Sequence, residues 1–117
     1  MLVVEDEPLV ALDLAQALDG AGAHVGIVRS IADGIAAVAK ANGPHVAVLD
    51  IKLPNGEDVA PLCCHLSQRG IPFLFYSGYT VAPDGWAHVP IVGKPASREQ
   101  IVEAVGRLCS SHLQAAE

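Results

Sequence analysis

Short apolar runs rich in β-branched residues alternate with longer segments whose apolar residues fall three and four positions apart. The runs predict five strands, at Leu2-Val4, His24-Val28, Val46-Leu49, Pro72-Tyr76 and Val89-Val92. The spacing in the longer segments predicts four helices. Alternation of strand and helix is typical of a parallel sheet with helices packed on it. The chain is therefore expected to fold as an α/β protein with a five-stranded parallel sheet.

The second and the last of the predicted helices carry start signals. A serine followed three residues later by a polar side chain resembles a capping box, which bonds the first free amides of a helix. The two pairs are Ser30 with Asp33 and Ser97 with Gln100. In the second helix, the spacing predicts that Ile35, Val38 and Ala39 form the buried face.

Composition limits the class of protein. The 117 residues suit one domain over 1–117, and with 51% hydrophobic and 17% charged residues the chain can form a core. A net charge of −6 argues against binding to nucleic acid. No apolar stretch approaches the ~20 residues of a membrane helix, and the first residues lack the basic region and long apolar core of a signal peptide, so a cytoplasmic protein with no membrane contact is expected. Cys63, Cys64 and Cys109 are expected to be small buried side chains.

Polar residues follow four of the five predicted strands. Glu5 and Asp6 follow the first strand, Asp50 the third, Ser77 the fourth and Lys94 the fifth. In an open parallel sheet, functional residues gather at the carboxyl ends of the strands. Three carboxylates brought together there repel, since two like charges about 4 Å apart cost ~4 kcal/mol at an effective dielectric of 20. Such a cluster favours a bound cation.

The types of these residues point to phosphoryl chemistry. Carboxylate oxygens suit Mg²⁺, with Glu5 and Asp6 as the metal holders. A carboxylate beside a metal can attack phosphorus and form an acyl phosphate, which makes Asp50 the candidate nucleophile. Lys94 offers a positive charge, and the Ser77 hydroxyl can donate to a phosphoryl oxygen. Taken singly, each has a simpler interpretation as a turn former, a helix-end acid or a loop residue.

Four stretches together match the pattern of one family. They are Val3-Val4-Glu5-Asp6-Glu7, Val48-Leu49-Asp50-Ile51-Lys52-Leu53-Pro54-Asn55-Gly56, Tyr76-Ser77-Gly78 and Gly93-Lys94-Pro95. In order and spacing they resemble the receiver domain of two-component response regulators, from Leu2 to about Leu113. The resemblance implies a flavodoxin-like, doubly wound sheet of strand order 2-1-3-4-5.

The same resemblance implies a role for each site residue. Asp50 would take a phosphoryl group from a phosphohistidine on a sensor histidine kinase or a histidine phosphotransfer protein. Asp6 and Asp50 would bind Mg²⁺ directly, Glu5 through water, and Lys52 through its main-chain carbonyl. Lys94 would pair with Asp50 and then with the phosphate, and Ser77 would bond a phosphoryl oxygen. A protein of this family is not a conventional enzyme, because it catalyses only its own phosphorylation and dephosphorylation.

Two features depart from the usual receiver pattern. Most receivers have an aromatic residue three positions before the lysine, and here that position is Ile91. The stretch from Ser77 to Lys94 is also short and includes Pro83, so a fourth family helix is expected to be stunted or mobile. The run from Phe75 to Tyr79 looks like the Phe-Ala-Thr-Gly-Tyr variant of receivers, which lacks the aromatic and often works with kinases of the HWE class.

Three other assignments are weighed against the receiver. A haloacid-dehalogenase-type phosphohydrolase needs a second aspartate at the position of Lys52, and a flavodoxin needs a phosphate loop where this chain has three acids, Glu5-Asp6-Glu7. A phosphorylation-independent interaction module on the same fold remains open because of Ile91. The chain is expected to be a monomer or weak dimer, without an output domain after Glu117, and either to act alone or to derive from a longer protein.

Overall fold

The computed structural model of the protein describes most of the chain. The described residues are 1–20, 22, 24–40, 43–51, 53, 57–78 and 81–116, the last six by their backbone only. Lys52 and Tyr79, which the sequence analysis singled out, lie outside the described residues, as do Pro54, Asn55 and Gly56.

The described residues form five strands and four helices, which alternate as far as the fourth strand. In chain order they are β1 (Leu2–Val4), α1 (Pro8–Gly20), β2 (Gly26–Val28), α2 (Ile31–Ala39), β3 (Ala47–Leu49), α3 (Ala60–Gln68), β4 (Phe73–Ser77), β5 (Ile91–Gly93) and α4 (Arg98–Ala116). Each predicted strand and helix is present, although the strands are mostly shorter than the apolar runs that predicted them.

The five strands form one parallel sheet in the order β2-β1-β3-β4-β5. In the register between neighbours, Val4 lies level with Leu49, Leu49 with Phe75, and Ser77 with Gly93. The predicted order of a flavodoxin-like sheet is confirmed. Because all the strands run in the same direction, the residues that follow β1, β3 and β5 lie along one edge of the sheet together with the last residue of β4.

Alternate residues of the strands pack into two cores, one on each face of the sheet. One core contains Leu49 and Phe75 and is covered by α2 and α3. The other contains Val48, Leu74 and Tyr76, and it is covered by α1 and α4. Since successive side chains of a strand point to opposite faces, Tyr76 lies on the α1/α4 face of β4.

Both predicted caps are present. The Ser30 hydroxyl accepts from the Asp33 amide, and Ser97 and Gln100 bond each other's amides through their side chains. The predicted buried face of α2 is wrong at Ala39, which is exposed. The buried stripe instead runs through Ile31, Gly34 and Val38, because a residue one position past Val38 is rotated by about 100° toward solvent.

Gly78 and residues 81–90 are described between β4 and β5, and residues 81–90 form successive turns and contain no helix. The Trp86 amide donates to the Pro83 carbonyl and the Val89 amide donates to Trp86. The Trp86 ring packs on Phe73, with 5.7 Å between the ring centroids. The expectation of a stunted fourth family helix agrees with this connection, which covers the end of the α2/α3 core with one aromatic ring.

Within the part of the chain that the structure describes, none of the helices has the length and apolar character needed to cross a bilayer.

Helices α2 and α3 approach closely at a glycine. A Cβ atom on Gly34 would lie 2.9 Å from a methyl carbon of Leu62, which is fully buried. We expect Gly34→Ala to lower the free energy of unfolding by about 1 kcal/mol, because overpacking costs more than the gain in helix propensity. Gly106→Ala in α4, where a Cβ would meet nothing within 4 Å, should raise it by roughly 0.5–1 kcal/mol. Urea denaturation measures both, and equal effects of the two substitutions would contradict the close packing.

The three cysteines differ in burial. The expectation of buried thiols is correct for Cys63 and wrong for Cys64, which is exposed on α3, while Cys109 is partly buried. Burial raises the pKa of the Cys63 thiol from 9.0 to about 12. At pH 8 we therefore expect a thiol reagent to modify Cys64 rapidly and Cys63 only after unfolding, because the reagent attacks the thiolate. Because Cys109 is only partly buried, the comparison is made in a Cys109→Ser background. There Cys64→Ser should remove the fast phase, and a fast phase that persists at the rate of unfolded protein would show that Cys63 is accessible.

Candidate functional site

The backbone at the carboxyl edge of the sheet fixes the positions of the predicted site residues. The Glu5 amide donates to Val28 over 3.1 Å and the Asp50 amide donates to Val4 over 3.1 Å, so the ladder continues one residue beyond β1 and β3. The Lys94 amide donates to the Ser77 carbonyl over 3.0 Å. These bonds make the end of each strand part of the sheet rather than of a free loop.

Three carboxylates converge at this edge. Glu5, Asp6 and Asp50 each offer one oxygen, and these oxygens lie within 4.8 Å of one another. Glu5 is 2% exposed and Asp50 is 8% exposed, whereas Asp6 is partly exposed. Two of the three acids are therefore held away from water, where repulsion between them is strong.

Lys94 places its ammonium group between the two buried acids. Its Nζ atom lies 2.7 Å from Glu5 Oε2 and 3.2 Å from Asp50 Oδ2. The other Glu5 oxygen accepts from the Glu7 amide over 3.3 Å. Lys94 thus pairs with Asp50, as the family resemblance implied, and it pairs more closely still with Glu5, which the sequence did not indicate.

Burial and nearby charges shift the pKa values of Glu5 and Lys94 in opposite directions. Burial raises the pKa of Glu5 above its ordinary value, although the hydrogen bond and the charge of Lys94 act against this shift. Burial alone would lower the pKa of Lys94, but the hydrogen bond to Glu5 and the charges of Asp50 and Glu5 outweigh burial and raise the pKa. Lys94 therefore remains cationic at neutral pH, as an internal counter-ion of the acids.

Ser77 is the last residue of β4, and Ile91 is the first residue of the neighbouring strand β5. Ser77 is fully buried as the last residue of β4, level with Gly93. Ile91 is partly buried at the start of β5 and packs against the α2/α3 core. The predicted position of Ser77 at the edge is confirmed, whereas Lys52 lies outside the described residues.

Sequence reasoning missed Tyr76. Lys94 Nζ lies over the Tyr76 ring, 5.4 Å from the centroid. The Tyr76 hydroxyl accepts a hydrogen bond from the Ala96 amide over 3.4 Å. An aromatic residue directly before Ser77 was the signal that could have found it. In a strand, adjacent residues point to opposite faces, so Tyr76 approaches the site from the face opposite to Phe75.

The donor set fits a hard divalent cation. Carboxylate oxygens are the ligands that Mg²⁺ takes from proteins, and it fills its other positions with water or phosphate. Three acids with one lysine leave the cluster with a net negative charge, so a cation relieves repulsion that Lys94 only partly offsets.

The fold is shared with proteins of known structure. A response regulator receiver protein from Sinorhizobium medicae WSM419 superimposes with a TM-score of 0.82 at 25% identity, over 95% of this chain and 94% of that one. SdrG from Sphingomonas melonis Fr1 superimposes with a TM-score of 0.80 at 31% identity, over 92% of this chain and 93% of that one. Both matches therefore cover nearly the whole of each chain.

A curated protein is also similar in sequence. The phyllosphere-induced regulator PhyR of Methylorubrum extorquens is 28% identical over 81 residues, which are 68% of this chain and 30% of that protein. The matched residues therefore span less than a third of the length of PhyR. No family model matches the chain.

Binding of a divalent cation to the three acids should stabilise the folded protein. At a Mg²⁺ concentration of 100 times the Kd, the free energy of unfolding should rise by about 2.7 kcal/mol. Asp6→Asn should lose most of this increase and be no less stable than wild type in EDTA, since it removes one repelling charge. Thermal denaturation with and without Mg²⁺ measures both effects.

Asp19→Asn is the matched control, because it removes one exposed carboxylate at the end of α1, outside the cluster. It should keep the full Mg²⁺ effect. An equal response to Mg²⁺ in the two variants would mean that the cation binds elsewhere.

Proposed function

We propose that this chain, which belongs to the receiver-domain family of two-component response regulators, accepts a phosphoryl group on Asp50. The donor would be a phosphohistidine on a sensor histidine kinase or a histidine phosphotransfer protein. The observation that carries the proposal is the position of Lys94 Nζ, which lies 3.2 Å from Asp50 Oδ2 within a cluster of three acids. A carboxylate held in this way has a cation in contact with it.

In the proposed reaction, a carboxylate oxygen of Asp50 attacks phosphorus. The new bond joins that oxygen to phosphorus, and the phosphorus–nitrogen bond breaks with its electron pair passing to the imidazole of the donor. The products are an acyl phosphate on Asp50 and an unmodified histidine. The chain would catalyse this transfer onto itself and the later hydrolysis, without turning over a separate substrate.

Glu5, Asp6 and Asp50 are the residues that we propose hold Mg²⁺, and the main-chain carbonyl of Lys52 is proposed as a further ligand. When bound, the metal ion would neutralise charge on the carboxylates and on the phosphoryl oxygens. Glu5 is the most buried of the three acids, at 2% exposure, and its bond from the Glu7 amide fixes the carboxylate at the end of β1.

Lys94 and Ser77 are proposed to bind the phosphoryl group. Lys94 already contacts Asp50, and its ammonium would contact a phosphoryl oxygen after transfer. Ser77 is buried at the carboxyl end of β4, the strand next to the one that precedes Asp50. Its hydroxyl would donate to a second phosphoryl oxygen.

We further propose that residues 1–117 act as one receiver domain whose protein contacts change on phosphorylation. A second candidate is an interaction module that works without phosphorylation. It is favoured by Ile91, which stands where most receivers have an aromatic residue, and by the absence of a helix in residues 81–90. The two candidates make opposite predictions for a phosphoryl analogue.

Beryllofluoride with Mg²⁺ mimics a phosphoryl group on aspartate and separates these candidates. We expect it to shift the amide resonances of Asp50, Ser77 and Lys94 in a ¹H–¹⁵N spectrum, because all three would contact the analogue. Asp50→Ala should abolish the shifts entirely, and Asp19→Asn, which removes an exposed acid of α1, should preserve them. An unchanged spectrum of the wild-type protein at saturating Mg²⁺ would leave the interaction module as the better account.

A further inference from the structure

We infer that Tyr76 is a positioning residue, which holds the Lys94 ammonium against Asp50 and anchors the segment that follows β5. The inference rests on the proposed function, since it concerns the site at which Asp50 would be phosphorylated. Tyr76 is 7% exposed, and its ring contacts Lys94 while its hydroxyl contacts Ala96. One side chain therefore contacts both ends of the segment from Lys94 to Ala96.

The first contact restrains the ammonium. Glu5 and Asp50 contact Lys94 Nζ at 2.7 and 3.2 Å, and the Tyr76 ring lies 5.4 Å from it, within the ~6 Å range of a cation–π interaction. The acids can exchange their partners when a cation or a phosphoryl group binds. The ring carries no charge to exchange, so it keeps the ammonium in place while Lys94 changes partners.

The second contact restrains the backbone. The Lys94 amide bonds the Ser77 carbonyl over 3.0 Å, and the Ala96 amide bonds the Tyr76 hydroxyl over 3.4 Å. The segment is thus fixed at both ends to the last two residues of β4. Because α4 begins at Arg98, two residues after Ala96, the same anchor restrains where α4 starts.

The location of Tyr76 distinguishes it from Ile91. Tyr76 packs in the core on the α1/α4 face, together with Ile101 of α4, whereas Ile91 packs on the α2/α3 face. Tyr76 therefore connects the lysine to α4 through one ring. In this chain an aromatic contact with the site comes from β4, on the face opposite to the position where other receivers carry their aromatic residue.

Three variants of β4 test the inference. Tyr76→Phe keeps the ring and loses the hydroxyl, and Tyr76→Leu loses both. Phe73→Leu is the matched control, since Phe73 lies in the same strand, is also 7% exposed and packs on the other face against Trp86. It removes a ring of equal burial that has no contact with Lys94.

We expect Tyr76→Leu to slow phosphorylation by acetyl phosphate at saturating Mg²⁺ by about tenfold, the size of effect expected for a partly desolvated cation–π contact. Tyr76→Phe and Phe73→Leu should stay within about twofold of wild type, because each keeps the ring that contacts Lys94. Intact mass over time measures the rate. A loss as large in Phe73→Leu as in Tyr76→Leu, or none in Tyr76→Leu, would overturn the inference.

Two spectroscopic readouts test the positions directly and do not depend on phosphorylation. The side-chain protons of Lys94 should show a ring-current shift in wild type and Tyr76→Phe that disappears in Tyr76→Leu. The Ala96 amide should exchange faster in both Tyr76 variants, since each lacks the hydroxyl. If wild type is not phosphorylated, the proposed function fails while these shifts still decide the role of Tyr76, and unchanged shifts in Tyr76→Leu would refute it.

Discussion

Repulsion among carboxylates at one edge of the sheet is the constraint that the rest of the structure has to satisfy. Glu5 and Asp50 are buried on neighbouring strands, and Lys94 is the cation that lies between them. That cation follows β5, an edge strand, so the sheet must keep its register across β1, β3, β4 and β5 for the charges to meet. The two cores maintain this register, so the arrangement of charges at the edge depends on packing on both faces of the sheet.

Much of this arrangement could be predicted from the sequence, because two simple periodicities control it. Apolar runs of strand length predicted β1, β3 and β4, and the polar residues at their ends had to lie together once the strands were parallel. Asp50 is the clearest case: it follows a continuously buried run, and a chain that buries both faces of a strand can place a charge only at its end.

The features that the sequence did not predict depend on which residues meet in three dimensions. The pairing of Lys94 with Glu5 depends on which of several nearby acids its flexible side chain reaches, and no spacing in the sequence encodes that choice. Tyr76 looked like one more residue of an apolar strand, because its contact with Lys94 exists only across the β4–β5 register. The prediction that Ala39 is buried was wrong for a related reason. The buried stripe of α2 passes through Gly34, and a count of apolar side chains does not include a glycine.

The connection between β4 and β5 has a consequence for how such a chain can diverge. Its residues 81–90 have no helical repeat to maintain, and three of them, Ala82, Trp86 and Val89, pack on the α2/α3 core. A loop with few such constraints tolerates insertions, deletions and substitutions that a packed helix does not. Provided that its apolar anchors remain, this segment can acquire a new outline while the carboxyl edge of the sheet keeps its geometry, so that the surface of the connection and the acid cluster can evolve at different rates.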